Sequence, residues 1–115
     1  MTMSVYKVVI LGDGGVGKSS MVKALQNEQF DPAYKPTYGV DVYPIQVGNV
    51  TLNVWDFAGQ EKYSGHRDEY YRGVNGAVIV FDVTSKISYK NAKKWREDLL
   101  RVVGKDIPVV LCRSE

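Results

Sequence analysis

Little in this chain of 115 residues marks a secreted or membrane-anchored protein. There is one cysteine, Cys112, so no intrachain disulfide can form and a reducing interior is expected. No apolar run approaches the roughly 18 residues that span a bilayer. The opening Met1-Thr2-Met3-Ser4 lacks a charged segment followed by an apolar one, so a secretory signal is not expected. Thr2 stands where myristoylation needs glycine. Cys112-Arg113-Ser114-Glu115 has the spacing of a prenylation box, but its middle pair is not aliphatic and its last residue is Glu. Cys112 closes an apolar strand and reads as a core thiol instead. Charge of one sign is also lacking: 15 basic against 13 acidic residues leave a net +2, which demands neither nucleic acid nor a membrane as partner. The length suits one domain.

What is present alternates between strand and helix signals. Residues 5–11 form an almost continuous apolar run, broken by Lys7, of the kind that suits a strand covered on both faces. Residues 77–81 and 107–112 read the same way, with Pro108 near the start of its strand, where it is tolerated. Between residues 40 and 56, Val40, Val42, Ile45, Val47, Val50, Leu52 and Val54 alternate with polar residues around Gly48-Asn49, a two-residue hairpin signal. One helix is predicted over residues 17–26, with Met21, Val22 and Leu25 on one face. A second is predicted over residues 88–103, where Ala92, Trp95, Leu99 and Val102 form an apolar stripe. Lys90, Lys93, Lys94 and Arg96 avoid that stripe and form a solvated face. The expected architecture is an α/β three-layer sandwich, mostly parallel, with an antiparallel hairpin at one edge.

Gly12-Asp13-Gly14-Gly15-Val16-Gly17-Lys18-Ser19 fits GxxxxGK[ST] between a predicted strand and a predicted helix. A glycine-rich turn lets backbone N–H groups surround phosphate oxygens, and the helix N-terminus adds a favourable dipole field. Lys18 reaches the β and γ phosphates and the Ser19 hydroxyl coordinates Mg²⁺. Read as a chance glycine turn, such a match in a chain this long would arise roughly a few times in a thousand. The expected phosphate-binding residues are Asp13, Gly14, Gly15, Val16, Gly17, Lys18, Ser19 and Ser20. Asp56-Phe57-Ala58-Gly59-Gln60-Glu61 then leaves the hairpin's second strand. A carboxylate at Asp56 is suited to hold magnesium, Gly59 can bring its N–H to a γ-phosphate, and Gln60 can orient an attacking water. An isolated Asp-x-x-Gly is an ordinary turn; its distance behind the glycine loop and the adjacent Gln60 give it meaning.

These motifs, in this order, resemble the Ras superfamily of small GTPases. Within it, longer stretches are similar to the Ran subfamily of nuclear-transport GTPases: residues 37–45, residues 53–56 followed by 59–63, residues 67–71, 81–86 and 88–92, then Trp95, Asp98-Leu99, Arg101-Val102 and residues 107–112. The resemblance implies a P-loop fold, GTP and GDP as ligands and Mg²⁺ as cofactor. It implies that Phe30 stacks on guanine and Tyr34 closes over the phosphates. Thr37 completes the magnesium shell with Ser19 and Asp56, and Gln60 is the catalytic glutamine. Switch loops are implied over residues 30–39 and 57–72. So are nuclear transport receptors, an exchange factor and a GTPase-activating protein as partners, in the nucleus and cytoplasm.

Two departures stand out. Phe57 replaces the threonine that Ran-like chains carry. Arg113-Ser114-Glu115 stand where the family has Asn-Lys-x-Asp, whose side chains hydrogen-bond guanine. The sequence therefore reads as a single Ras-like domain, residues 1–115, incomplete at its C-terminus and without the last strand and helices. Two readings follow: an active GTPase switch, or a truncated, non-catalytic relative that binds phosphate and partners weakly without guanine specificity. The surroundings of Gln60 and the Ran-like stretches disfavour a P-loop ATPase or kinase of another lineage.

Overall fold

The computed structural model describes residues 4–13, 40–57 and 70–114. Strand β1 (Ser4–Leu11) is followed by β2 (Val40–Val47), β3 (Val50–Phe57), β4 (Gly76–Asp82), helix α1 (Lys86–Val103) and β5 (Val109–Ser114). They form one sheet in the order β2-β3-β1-β4-β5. All pairings are parallel except β2 with β3, the predicted edge hairpin, which turns at Gly48 with φ 62°, a conformation open to glycine. The predicted helix over residues 17–26 lies outside the described residues.

β1 is central, yet only its second half is covered on both faces. Val9 and Leu11 pack on one face with Tyr70, Tyr71, Val74, Ala92 and Leu99, while Ile10 packs on the other with Tyr43, Val54 and Val80. Val5 and Tyr6 remain exposed. The difference from the expected fully buried strand lies in register: β3 pairs from Ser4 onward, whereas β4 joins only at Val8.

α1 crosses from β4 to β5 and lays the predicted stripe on the sheet, with Ala92 and Leu99 buried and Trp95 and Val102 partly so. Lys90, Lys93, Lys94 and Arg96 are exposed, as expected. The helix begins two residues before the predicted start. Ser85 is its N-cap, and its side chain accepts a hydrogen bond from the Ser88 N–H. The last strand is also displaced, running over Val109–Ser114 instead of 107–112. The Pro108 carbonyl accepts from the Ala77 N–H at 3.0 Å, but proline has no N–H to return, so the ladder starts at Val109.

Candidate nucleotide site at the carboxyl edge of the sheet

In an open parallel sheet, ligands bind beyond the carboxyl ends of the strands, where successive connections leave on opposite sides. That point is fixed here at β1: the chain passes to β2 and β3 on one flank and then to β4 and β5 on the other. The glycine-rich motif leaves β1 at this point. Gly12 is buried and has φ 146°, a backbone conformation that side chains with a Cβ rarely adopt, so the strand turns sharply into Asp13.

Asp56 reaches the same edge from the neighbouring strand. It pairs in register with Ile10, is flanked on the other side by Asp41 in β2, and is only 4% exposed. A nearly buried carboxylate beside the end of β1 is a hard oxygen donor of the type magnesium takes, in a site otherwise completed by hydroxyls, water and phosphate. Among the described residues no three of His, Cys, Asp and Glu converge, so these residues form no cage of protein ligands alone. The residues present fit a magnesium held by one carboxylate together with substrate oxygens.

Of the residues expected from the sequence, Asp13 and Asp56 are brought to this edge. Gly14, Gly15, Val16, Gly17, Lys18, Ser19, Ser20, Phe30, Tyr34, Thr37, Gly59 and Gln60 lie outside the described residues. The Asp13 carboxylate is turned toward α1: Oδ1 accepts from the Trp95 indole N–H at 3.0 Å and Oδ2 from the Asn91 amide at 2.7 Å. Its backbone, not its side-chain charge, is the part suited to meet phosphate.

Three contributors to this edge, Asn91, Trp95 and Tyr70, fall within the Ran-like stretches but in none of the nucleotide motifs. Trp95 reads in sequence as one position of an apolar stripe, although a partly buried indole N–H needs an acceptor and Asn91 lies one turn away. The buried Tyr70 hydroxyl bridges the two strands that carry the site, 2.5 Å from the Trp55 carbonyl and 3.1 Å from that of Ile10. At the end of β4, Asp82 is held below the usual carboxylate range by the Thr84 backbone N–H, then by the Thr84 hydroxyl.

The model of the Ras family matches residues 7–114, nearly the whole chain. Proteins of this family bind GTP and GDP with magnesium and hydrolyse GTP as switches. With its glycine motif leaving the central strand and its Asp56 on the strand alongside, this chain belongs to the Ras family of small GTPases.

Proposed function

We propose that this chain is a Ran-like GTPase switch of nucleocytoplasmic transport, working in the nucleus and cytoplasm with transport receptors, an exchange factor and a GTPase-activating protein. The observation that carries the nucleotide reading is the meeting of the Gly12 turn and Asp56 at the switch point of the sheet. The Ran-like stretches from residue 37 to residue 112 support the finer assignment.

In this reading the backbone from Asp13 to Gly17 cradles the phosphates, with Ser20 in the helix start that follows. Lys18 sets a point charge on the β and γ phosphates. Phe30 stacks on the base, Tyr34 covers the phosphates, and the Gly59 N–H meets the γ-phosphate. Gln60 orients the attacking water. Magnesium, held by Ser19, Thr37 and Asp56, supplies neutralisation of phosphate charge. Residues 30–39 and 57–72 then present different surfaces before and after hydrolysis.

One observation favours a second reading. Arg113 and Ser114 pair with Phe81 and Asp82 as strand residues, at the positions where the family carries its guanine-reading side chains. A chain so built binds triphosphate with little choice between guanine and adenine. The test is a titration of the purified chain with GTP, GDP and ATP, with and without magnesium, followed by capture on nuclear transport receptors. A Ran-like switch binds GTP in preference to ATP and is captured by receptors only when GTP-loaded. Equal affinity for ATP and no receptor capture support the second reading, and no nucleotide binding at all defeats both.

A further inference from the structure

The contact between Asp13 and α1 has a use beyond holding the fold together. Asp13 is the second residue of the glycine motif, and its carboxylate would oppose any triphosphate if it faced the ligand. Both oxygens are instead engaged by one helix, through donors four residues apart and thus on one face. That helix is well anchored. Ser85 caps it, the Gly104 N–H closes its end on the Leu100 carbonyl, and Ala92 and Leu99 are buried against the sheet. The Trp95 ring also packs against the main core cluster, so its N–H points from a braced platform. Gly12 on one side of Asp13 is a glycine with positive φ, free to adopt many conformations, so contacts of its neighbour help to fix the direction in which the chain leaves β1.

We propose that Asn91 and Trp95 are positioning residues for the nucleotide loop: by binding the two carboxylate oxygens of Asp13 they fix the exit of the loop from β1 and hold its negative charge away from the phosphates. The proposal rests on the nucleotide-binding reading above. Preorganisation of this kind acts on nucleotide affinity, and among variants of one site affinity differences appear mostly in the release rate. It has little influence on the chemical step, since neither side chain touches the reacting atoms. The donor set also explains the residue types: a carboxylate offers two acceptors, and an indole N–H with an amide NH₂ supplies two donors without adding a charge that would compete for phosphate.

The test measures GDP release and single-turnover GTP hydrolysis for the full chain and for Asn91→Ala, Trp95→Phe and Asp13→Ala. Asn91→Ala and Trp95→Phe are each expected to speed GDP release about tenfold, the size of effect that loss of one charge-assisted hydrogen bond gives. Their hydrolysis rates once loaded should change less than about twofold. Adding Asn91→Ala to Asp13→Ala should bring no further increase, because the partner is already gone. Should Trp95→Phe not fold, Asn91→Ala and the double variant carry the test. Release rates unchanged in a wild-type chain that binds GDP overturn this inference alone. So do additive effects that merely track a loss of melting temperature. A wild-type chain that binds no nucleotide overturns the functional reading and this inference with it.

Discussion

The Tyr70 hydroxyl lies 2.5 Å from the Trp55 carbonyl oxygen, tying the segment before β4 to the strand that carries Asp56. The same hydroxyl is 3.1 Å from the Ile10 carbonyl, two residues before Gly12. Both rings are part of the packing, at 6.4 Å between centroids in an edge-on arrangement. Tyr70 thus joins β1 and β3, the two strands on which the candidate site depends, to the start of the segment that leads into β4.

Tyr70→Phe keeps the ring and loses only the hydroxyl. The expected loss is about 1 kcal/mol, the usual net worth of one internal hydrogen bond. Tyr70→Ala also empties core volume and should cost about 3–5 kcal/mol. Urea unfolding of the three proteins checks both values. Equal stability of wild type and Tyr70→Phe would remove the hydroxyl's structural role.

Much of this fold is legible in sequence because its signals are local. The apolar run in β1, the alternation around Gly48-Asn49 and the stripe through Ala92 and Leu99 each report their own environment. Boundaries were less legible where one atom decides them: the absent N–H of Pro108 moves β5, and the Ser85 hydroxyl moves the start of α1. The candidate site divides in the same way. Asp13 and Asp56 are read from motifs, but Tyr70, Asn91 and Trp95 act across separations of 60, 78 and 82 residues. No local pattern encodes such contacts; only the strand order brings the partners together.

Lys7 gives the protein a pH response of defined sign. Its Nζ donates to the Arg72 carbonyl at 2.8 Å and sits 3.9 Å from the centre of the Trp55 ring. Burial, followed by the nearby Arg72 charge, lowers the ammonium from 10.5 to about 8. Between those values the unfolded chain binds more protons than the folded one, so stability rises with pH across that window. The penalty of the buried charge is fully present below about 8. Lys7→Met should flatten this rise. The check is the difference in unfolding free energy between the two proteins from pH 7 to about 10.5, which cancels groups common to both. A constant difference would count against a perturbed Lys7.

Ser88 should matter more to stability than the cap beside it. It is a buried polar residue, 3% exposed. Its hydroxyl oxygen accepts from the Asp82 N–H at 2.9 Å, while its proton faces the carbonyls of Ser85 and Asp82. Ser88→Ala leaves that N–H without this acceptor and should cost about 1–3 kcal/mol. Ser85→Ala removes a cap bond on the same turn and should cost about 1 kcal/mol. Thermal melts of the two variants decide the order, and the reverse order would reject it.

On the function proposed above, three motif substitutions separate binding from chemistry. Lys18→Ala should abolish triphosphate binding with the fold intact, since it removes a point charge on phosphate. Ser19→Asn should weaken magnesium coordination and favour the diphosphate or empty state, and an unchanged magnesium dependence would reject Ser19 as a ligand. Gln60→Leu should leave affinity nearly unchanged and slow hydrolysis, because it removes the group that orients water. Calorimetric titration and single-turnover rates are the measurements. Unchanged affinity in Lys18→Ala would reject the P-loop assignment, and equal hydrolysis rates would reject the role of Gln60.

The outermost strand carries the last prediction. β5 ends the described sheet, and Val110 and Leu111 are 55% and 53% exposed on it. An exposed apolar edge strand is a template for pairing with another chain. Leu111 also borders a groove of about 520 Å³ lined by Ile79, Ala92 and Val109 together with Tyr89, Lys90, Lys93 and Arg96. Covering one large aliphatic side chain contributes roughly 1.5–3 kcal/mol, so two such residues are significant against a typical margin of about 5–15 kcal/mol. The 115-residue chain should therefore self-associate as its concentration rises. Leu111→Lys should shift it toward monomer, since an edge lysine resists strand addition. The exposed position predicts a folding cost of no more than about 0.5 kcal/mol for this change. Size-exclusion chromatography with light scattering over a hundredfold concentration range tests this. A monodisperse wild-type monomer throughout would show that the β5 edge does not drive association.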